Sequence, residues 1–163
     1  MDGLITILGV VIGIATATDS SAIVIISSVV VGVANSFGNS FGFYASELAE
    51  RAEHIQENQH VSSMAETRRS TVLAFVTSLA SMSVLVVPFV LLPNLSYAMI
   101  VSLTVALAML FGLGALVGKL SREGPWRFAI HYVLLGLIGA ALSFVVGNIL
   151  RNSLTLGRWV SPW

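Results

Sequence analysis

The chain has no cysteine and little charge: 8 Lys and Arg and 8 Asp and Glu make up 10% of its 163 residues. Without thiols it has no disulfides, no thiolate metal sites and no cysteine nucleophile, so any metal it handles must meet oxygen or nitrogen ligands. Its charges balance to a formal net charge of zero, which excludes a basic surface for nucleic acid and an acidic tail. Catalytic patterns are missing as well. There is no Ser-His-Asp order, phosphate loop or HExxH stretch, and Ser81, Ser83 and Ser102 have no base nearby in sequence. Enzyme chemistry therefore has no seat, and no prosthetic group is implied. The first apolar run has no basic stretch before it and no small-residue cleavage site after it, so it is expected to stay in the mature protein as a helix.

What is present is apolar. Hydrophobic residues make up 56% of the chain, and a soluble domain carries about 25% charged residues, so the main solvent is a bilayer. Five apolar segments stand out, at 3–18, 21–46, 71–92, 95–118 and 126–150. All are expected to be helices, because lipid leaves no backbone group unpaired. The predicted fold is thus all-α, a single integral membrane domain over 1–163 with five transmembrane helices. The first segment rises only about 24 Å against a hydrocarbon core of about 30 Å, which suits a helix that begins inside the membrane or lines a cavity. Thr18-Asp19-Ser20, Pro93-Asn94 and Gly124-Pro125 supply the caps and turns between helices.

Only 47–70 is long and polar, and it reads as a short acidic helical insertion between the second and third helices. Arg51, Arg68 and Arg69 lie there, and Lys119, Arg122 and Arg127 lie between the fourth and fifth helices. Arg151 and Arg158 are the two basic residues toward the other side. The positive-inside rule then places the N-terminus and the acidic segment in the cytoplasm, with Trp126, Trp159 and Trp163 suited to an aromatic belt. A prokaryotic cell membrane is the simplest location.

The most informative stretch begins as a membrane helix and becomes charged with no turn signal. It is predicted to be one long second helix extending into the cytoplasm. Ser28, Gly32, Asn35, Asn39, Gly42 and Ser46 alternate at spacings of four and three, which puts them on one face. Small residues let backbones approach closely, and Gly38-x-x-x-Gly42 is a second contact motif. Asn35 and Asn39 have two readings, as hydrogen-bonded glue between helices or as amide oxygens lining an ion path. The same spacing continues to Glu50, Glu53, Glu57 and His60, with Glu47 and His54 beside it. Carboxylates and imidazoles three and four apart project together and suit divalent cations such as manganese and iron. The plainer reading is a solvated helix end. One helix cannot complete a metal's coordination sphere, but two facing copies could.

Other residues carry less. Asp2 either stabilises the positive end of the first helix or stands at the mouth of a path. Gly9, Gly13, Gly114, Gly118, Gly139, Ser143 and Gly147 read as packing positions. His131 reads as an interfacial histidine, and the scattered Met64, Met82, Met99 and Met109 give no soft-metal stripe.

Several of these stretches share a resemblance. Asp2-Gly3-Leu4-Ile5-Thr6, followed by Leu8-Gly9 and Gly13, resembles the opening of the first helix in the vacuolar iron transporter family. Residues 34–47, ending Tyr44-Ala45-Ser46-Glu47, resemble the end of its second helix. Val87-Pro88-Phe89-Val90-Leu91 resembles part of its third helix, and 136–147 its glycine-rich fifth. The order and number of helices agree over nearly the whole chain. The resemblance implies a homodimer that moves ferrous iron or manganese out of the cytosol in exchange for protons, along a path between first and second helices at the dimer axis. Asp2 falls on the family's first-helix aspartate, and Glu47, Glu50, Glu53 and Glu57 fall among its metal-gathering glutamates. Asn39 stands where the family usually has a methionine, and Phe43 where many members have glutamate. An oxygen ligand in place of a thioether favours hard cations.

The reading is therefore a dimeric exporter of Fe2+ or Mn2+. Glu47, Glu50, Glu53, His54, Glu57 and His60 gather the ion, and Asp2, Asn35 and Asn39 pass it between subunits. Its partners are divalent metal ions, protons, lipid and a second copy. A non-transporting membrane scaffold, whose acidic helix binds metal or a protein, is the alternative, and an organic-cation transporter is a third reading.

Overall fold

In the computed structural model, the described residues are 2–56, 64–121 and 124–160, with the side chains of 2, 54–56 and 154–160 left out. They form five α-helices: α1 (Asp2–Thr18), α2 (Ser21–Gln56), α3 (Met64–Leu91), α4 (Leu95–Leu120) and α5 (Pro125–Val160). The apolar segments account for them, and α2 does run without a break into the charged stretch. Four of the five are long and apolar enough to cross a membrane, and α1 is the short one at 17 residues, about 25 Å of rise.

The helix ends follow local chemistry. Asn94 caps α4, its Oδ1 accepting from the Ser96 N–H at 3.0 Å and the Tyr97 N–H at 3.4 Å. Pro125 opens α5, where its missing N–H costs nothing. Between α1 and α2, Asp19 takes φ = 50°, a left-handed conformation that an aspartate tolerates better than most side chains. Its carboxylate meets Arg151 of α5 at 2.8 Å. The α1–α2 turn and the later part of α5 therefore lie at one end of the bundle. The end of α2, the start of α3 and the α4–α5 connection lie toward the other.

Although it is the shortest helix, α1 is the axis of the bundle. It touches all four others, which form an arc in the order α2, α3, α4, α5. Its Leu8 and Val11 are wholly buried, and Leu4, Ile7, Ile12 and Ala15 nearly so. Bare backbone makes the tightest contacts. A β-carbon on Gly114 would lie 2.7 Å from the Cα of Ala129, and one on Gly118 would lie 2.8 Å from the Cα of Pro125, so α4 and α5 meet where neither residue can be larger. Gly9 and Gly13 pack on Ser143, and Gly147 packs on the Gly13 carbonyl. These are the positions the sequence marks for packing.

Outward, the bundle is apolar. Only 17–28% of each long apolar stretch is buried, and Ile26, Phe37, Val90 and Leu142 are each more than 60% exposed. Such a surface is stable against hydrocarbon and unstable against water. The arc leaves an open apolar groove of about 520 Å³ along α1 and α5, reaching Val31 of α2.

The predicted seam on α2 needs a correction. The buried stripe is Val24, Ser28, Gly32, Ser36 and Ser40, at a strict spacing of four. It shares Ser28 and Gly32 with the predicted face and then turns toward α3, leaving Asn35 half-buried and Asn39, Gly42 and Ser46 exposed. Among the described residues, nothing lies within 4 Å of a β-carbon placed on Gly38 or Gly42. Among the described residues, the predicted face is covered from Ser28 to Asn35, and its later positions are exposed.

Candidate functional site

The start of α1 lies halfway along α2. A β-carbon on Gly3 would sit 3.2 Å from Asn35 Nδ2, 3.5 Å from Asn39 Nδ2 and 3.3 Å from Ser78 Oγ. The missing side chain lets three polar groups from two helices close on the first turn of α1. Two of the sequence-predicted path residues, Asn35 and Asn39, thus meet the chain position next to the third, Asp2. The side chain of Asp2 lies outside the described residues.

Ser36 Oγ donates to Ser78 Oγ at 2.9 Å and ties α2 to α3 beside the cluster. Ser40 Oγ bonds the Ser36 carbonyl at 2.8 Å. The Asn35 amide nitrogen is covered from water and has no hydrogen-bond partner among the described residues. A covered amide N–H without an acceptor costs about 1–3 kcal/mol. Beside it an open pocket of about 310 Å³ is lined by Gly3 and Leu4 of α1, Asn39 of α2, Thr77, Ser78 and Ser81 of α3, and Leu113 of α4.

The α3 hydroxyls were not singled out from sequence. Thr77, Ser78 and Ser81 lie within four residues of one another inside an otherwise apolar helix, and that spacing was the available signal. Sequence reasoning tested the serines of this helix only as nucleophiles.

The acidic stripe is placed differently. Glu47 is half-buried, and Glu50 and Glu53 are exposed on the last turns of α2. Glu50, Arg51 and Glu66 are each engaged by neighbouring groups. Glu57, His60 and the side chain of His54 lie outside the described residues. Among the described residues, no three His, Asp or Glu side chains come close enough to hold one metal ion. Elsewhere, exposed His131 places Nδ1 3.1 Å from the Arg127 carbonyl, a contact within its own helix.

Chemically, the start of α1 gathers neutral oxygen and nitrogen groups at bilayer depth, and the end of α2 carries carboxylates beyond them. Met82 is packed over Gly32 on the covered stretch of α2. Of the two places, the carboxylates at the end of α2 are the ones whose oxygens suit a hard or borderline cation.

Comparison with known proteins adds two findings. The model of the VIT family, the vacuolar iron transporters, matches residues 52–148, more than half of the chain. The match takes in the end of α2 and nearly all of α3 to α5, and it begins after Asn35, Asn39, Glu47 and Glu50. A protein of Methanocaldococcus jannaschii described as uncharacterised is 28% identical over 161 residues, covering 90% of this chain and 83% of that one.

Proposed function

The chain belongs to the VIT family of membrane metal-ion transporters, and from that premise we propose that it exports Fe2+ or Mn2+ from the cytosol in exchange for protons. The observation that carries this reading is the meeting of the α1 start with Asn35 and Asn39 at Gly3. In it, two copies face each other through α1 and the bare second half of α2. The carboxylates of Glu47, Glu50, Glu53 and Glu57, with His54 and His60, gather the ion on the cytoplasmic side. One helix supplies half of the ligands and its twin the other half. Asp2, Asn35 and Asn39 then pass the ion into the seam between subunits.

Proton exchange has a direct physical basis, because a carboxylate that binds metal must first lose its proton. With an amide oxygen at Asn39, the path favours Mn2+ over softer ions.

The test is metal uptake into inside-out vesicles. Asp2→Ala, and Glu50→Ala combined with Glu53→Ala, are each expected to lower Mn2+ flux by about tenfold or more, as removal of a charged ligand does in a metal site. Unchanged flux in both variants sinks the proposal. Metal binding at the stripe with no flux in the unaltered protein supports the scaffold instead.

A further inference from the structure

We propose that the aromatic groove between α2 and α3 binds an anionic phospholipid, whose acyl chain lies along Phe37, Phe41 and Phe75 and whose phosphate is held by Arg68. None of these residues belongs to the proposed metal path.

Helix register makes the groove. Phe37, Phe41 and Tyr44 follow one another on α2 at spacings of four and three, and Thr71, Val72 and Phe75 share one side of α3. Together with Ser40 they border an open space of about 390 Å³, within the roughly 300–1,000 Å³ of ligand clefts. Phe37 and Phe41 stack with ring centroids 6.2 Å apart and planes 15° apart, and both are exposed, as is Val72. The two hydroxyls in the lining are spent on their own helices. Thr71 Oγ1 donates to the Thr67 carbonyl at 2.8 Å, and Ser40 Oγ donates to the Ser36 carbonyl at 2.8 Å. An apolar groove open to hydrocarbon is filled by a lipid chain.

Charge selects which lipid. Arg68 stands three residues before Thr71 and four before Val72, so it lies one turn beyond the groove on the same side of α3. The apolar stretches end at Ser46 and begin at Thr71, which sets Arg68 and Tyr44 at the edge of the hydrocarbon. Arg68 is exposed and has no ion-pair or hydrogen-bond partner among the described residues. A guanidinium in that position suits a phosphate, which it grips through two N–H groups at once. On α2 the groove side continues through Leu48 to Arg51, which is engaged by neighbouring groups. Glu50 and Glu53 lie round the helix on the side of Asn39 and Ser46, and Glu47 lies between the two sides. Two other apolar grooves lack such a cation. The one along α1 and α5 ends at Leu150, and the next residue, Arg151, is already paired with Asp19. The one between α4 and α5, lined by Met99, Leu103 and Phe144, has no charged residue in its lining. Lipid is also the occupant that the proposed dimer leaves room for. Phe41 lies two residues from Asn39, roughly 200° round α2, so a second copy seated on the seam leaves the groove facing the bilayer.

The test counts bound lipid by native mass spectrometry. The full chain in neutral detergent is mixed with equimolar phosphatidylglycerol and phosphatidylcholine of identical acyl chains. Phosphatidylglycerol is expected to be retained about fivefold over phosphatidylcholine, as one basic residue near a headgroup provides. Arg68→Gln is expected to bring the ratio to within about twofold. Arg69→Gln, also exposed but about 100° round α3, is expected to leave it unchanged. Phe41→Ala keeps the charge and removes a wall of the groove, and is expected to lower retention of phosphatidylglycerol about threefold. Elution volume checks that each variant is folded.

No preference in the unaltered chain overturns the site, and so does an equal loss in Arg69→Gln, which signals a diffuse basic surface. Retention indifferent to Phe41→Ala overturns it too, because the headgroup is then bound as free phosphate would be. Two chains per particle that Phe41→Ala separates assign the groove to a second copy instead. Because counting lipid needs no ion flux, this proposal and the transport reading fail separately.

Discussion

One face of α2 meets two different fates. From Val24 to Asn35 it lies under α1, with Ser28 wholly buried and Gly32 capped by Met82 and Ile7. Beyond Asn39, which still reaches Gly3, Gly42 and Ser46 on the same face are exposed. The residues are similar in kind on both sides of the divide, small or polar. What differs is whether α1 is there, and α1 begins at the divide. A stripe of small residues therefore says that something packs closely, but not whether the partner belongs to the same chain. In a membrane this matters more than in water. Lipid gives little drive to cover an apolar helix, so small residues there answer to close helix packing and not to burial as such.

The comparison breaks most sharply at its glycines. Gly32→Val puts two methyls where Met82 and Ile7 already sit, and overpacking of this kind costs about 1–3 kcal/mol. Thermal unfolding in detergent is expected to show a clear loss. Gly42→Ala, on the bare half, meets nothing within the chain. It is expected to leave the protomer unharmed or stabilise it by up to about 1 kcal/mol through helix propensity, while weakening self-association in lipid. If Gly42→Ala destabilises the protomer as much as Gly32→Val does, the divide at α1 is wrong.

Much of this was legible in the sequence. In lipid an apolar run has few alternatives to a helix, so segment boundaries at Thr18, Asn94 and Pro125 follow from capping and turn chemistry. The packing glycines of α1, α4 and α5 could be read because small residues in a lipid helix have few other uses. The course of the α2 stripe could not. Spacings of four and three keep residues on one straight face, whereas the buried set advances by four each time and so winds around the helix toward α3. Only the neighbours decide which set is covered, and Ser36 and Ser40 carry no mark that separates them from Asn39 and Gly42. The same blindness hid the α3 hydroxyls, whose meaning depends on what packs beside them. The acidic stripe was legible as a pattern, but a row of carboxylates on one helix is not by itself a coordination sphere.

A smaller effect sharpens the comparison at the divide itself. Ser36→Ala removes the 2.9 Å bond to Ser78, and such bonds between membrane helices average about 0.6 kcal/mol. The expected result is a slight loss of stability, well below that of Gly32→Val. A larger loss implies that Ser36 holds α2 against α3 where α1 no longer does so.

The smallest effect belongs to the closed end of α1, which mirrors the open one. Here the chain turns tightly through Asp19, and Arg151 of α5 reaches over to it. Two contributions overlap at this residue, the left-handed backbone and the ion pair, and two substitutions separate them. Asp19→Asn keeps a side chain that tolerates the positive φ of 50° and removes only the charge. With both partners about half exposed, at 48% and 63%, such a pair contributes about 0–1 kcal/mol and less at high salt. Asp19→Ala also places an ordinary side chain in the left-handed region, which costs a further 1–2 kcal/mol or so. The expected order is a near-neutral Asp19→Asn and a measurably weaker Asp19→Ala. If instead Asp19→Asn costs as much as Asp19→Ala, the ion pair holds α5 to the turn, and the closed end of α1 depends on charge as strongly as the open end depends on space.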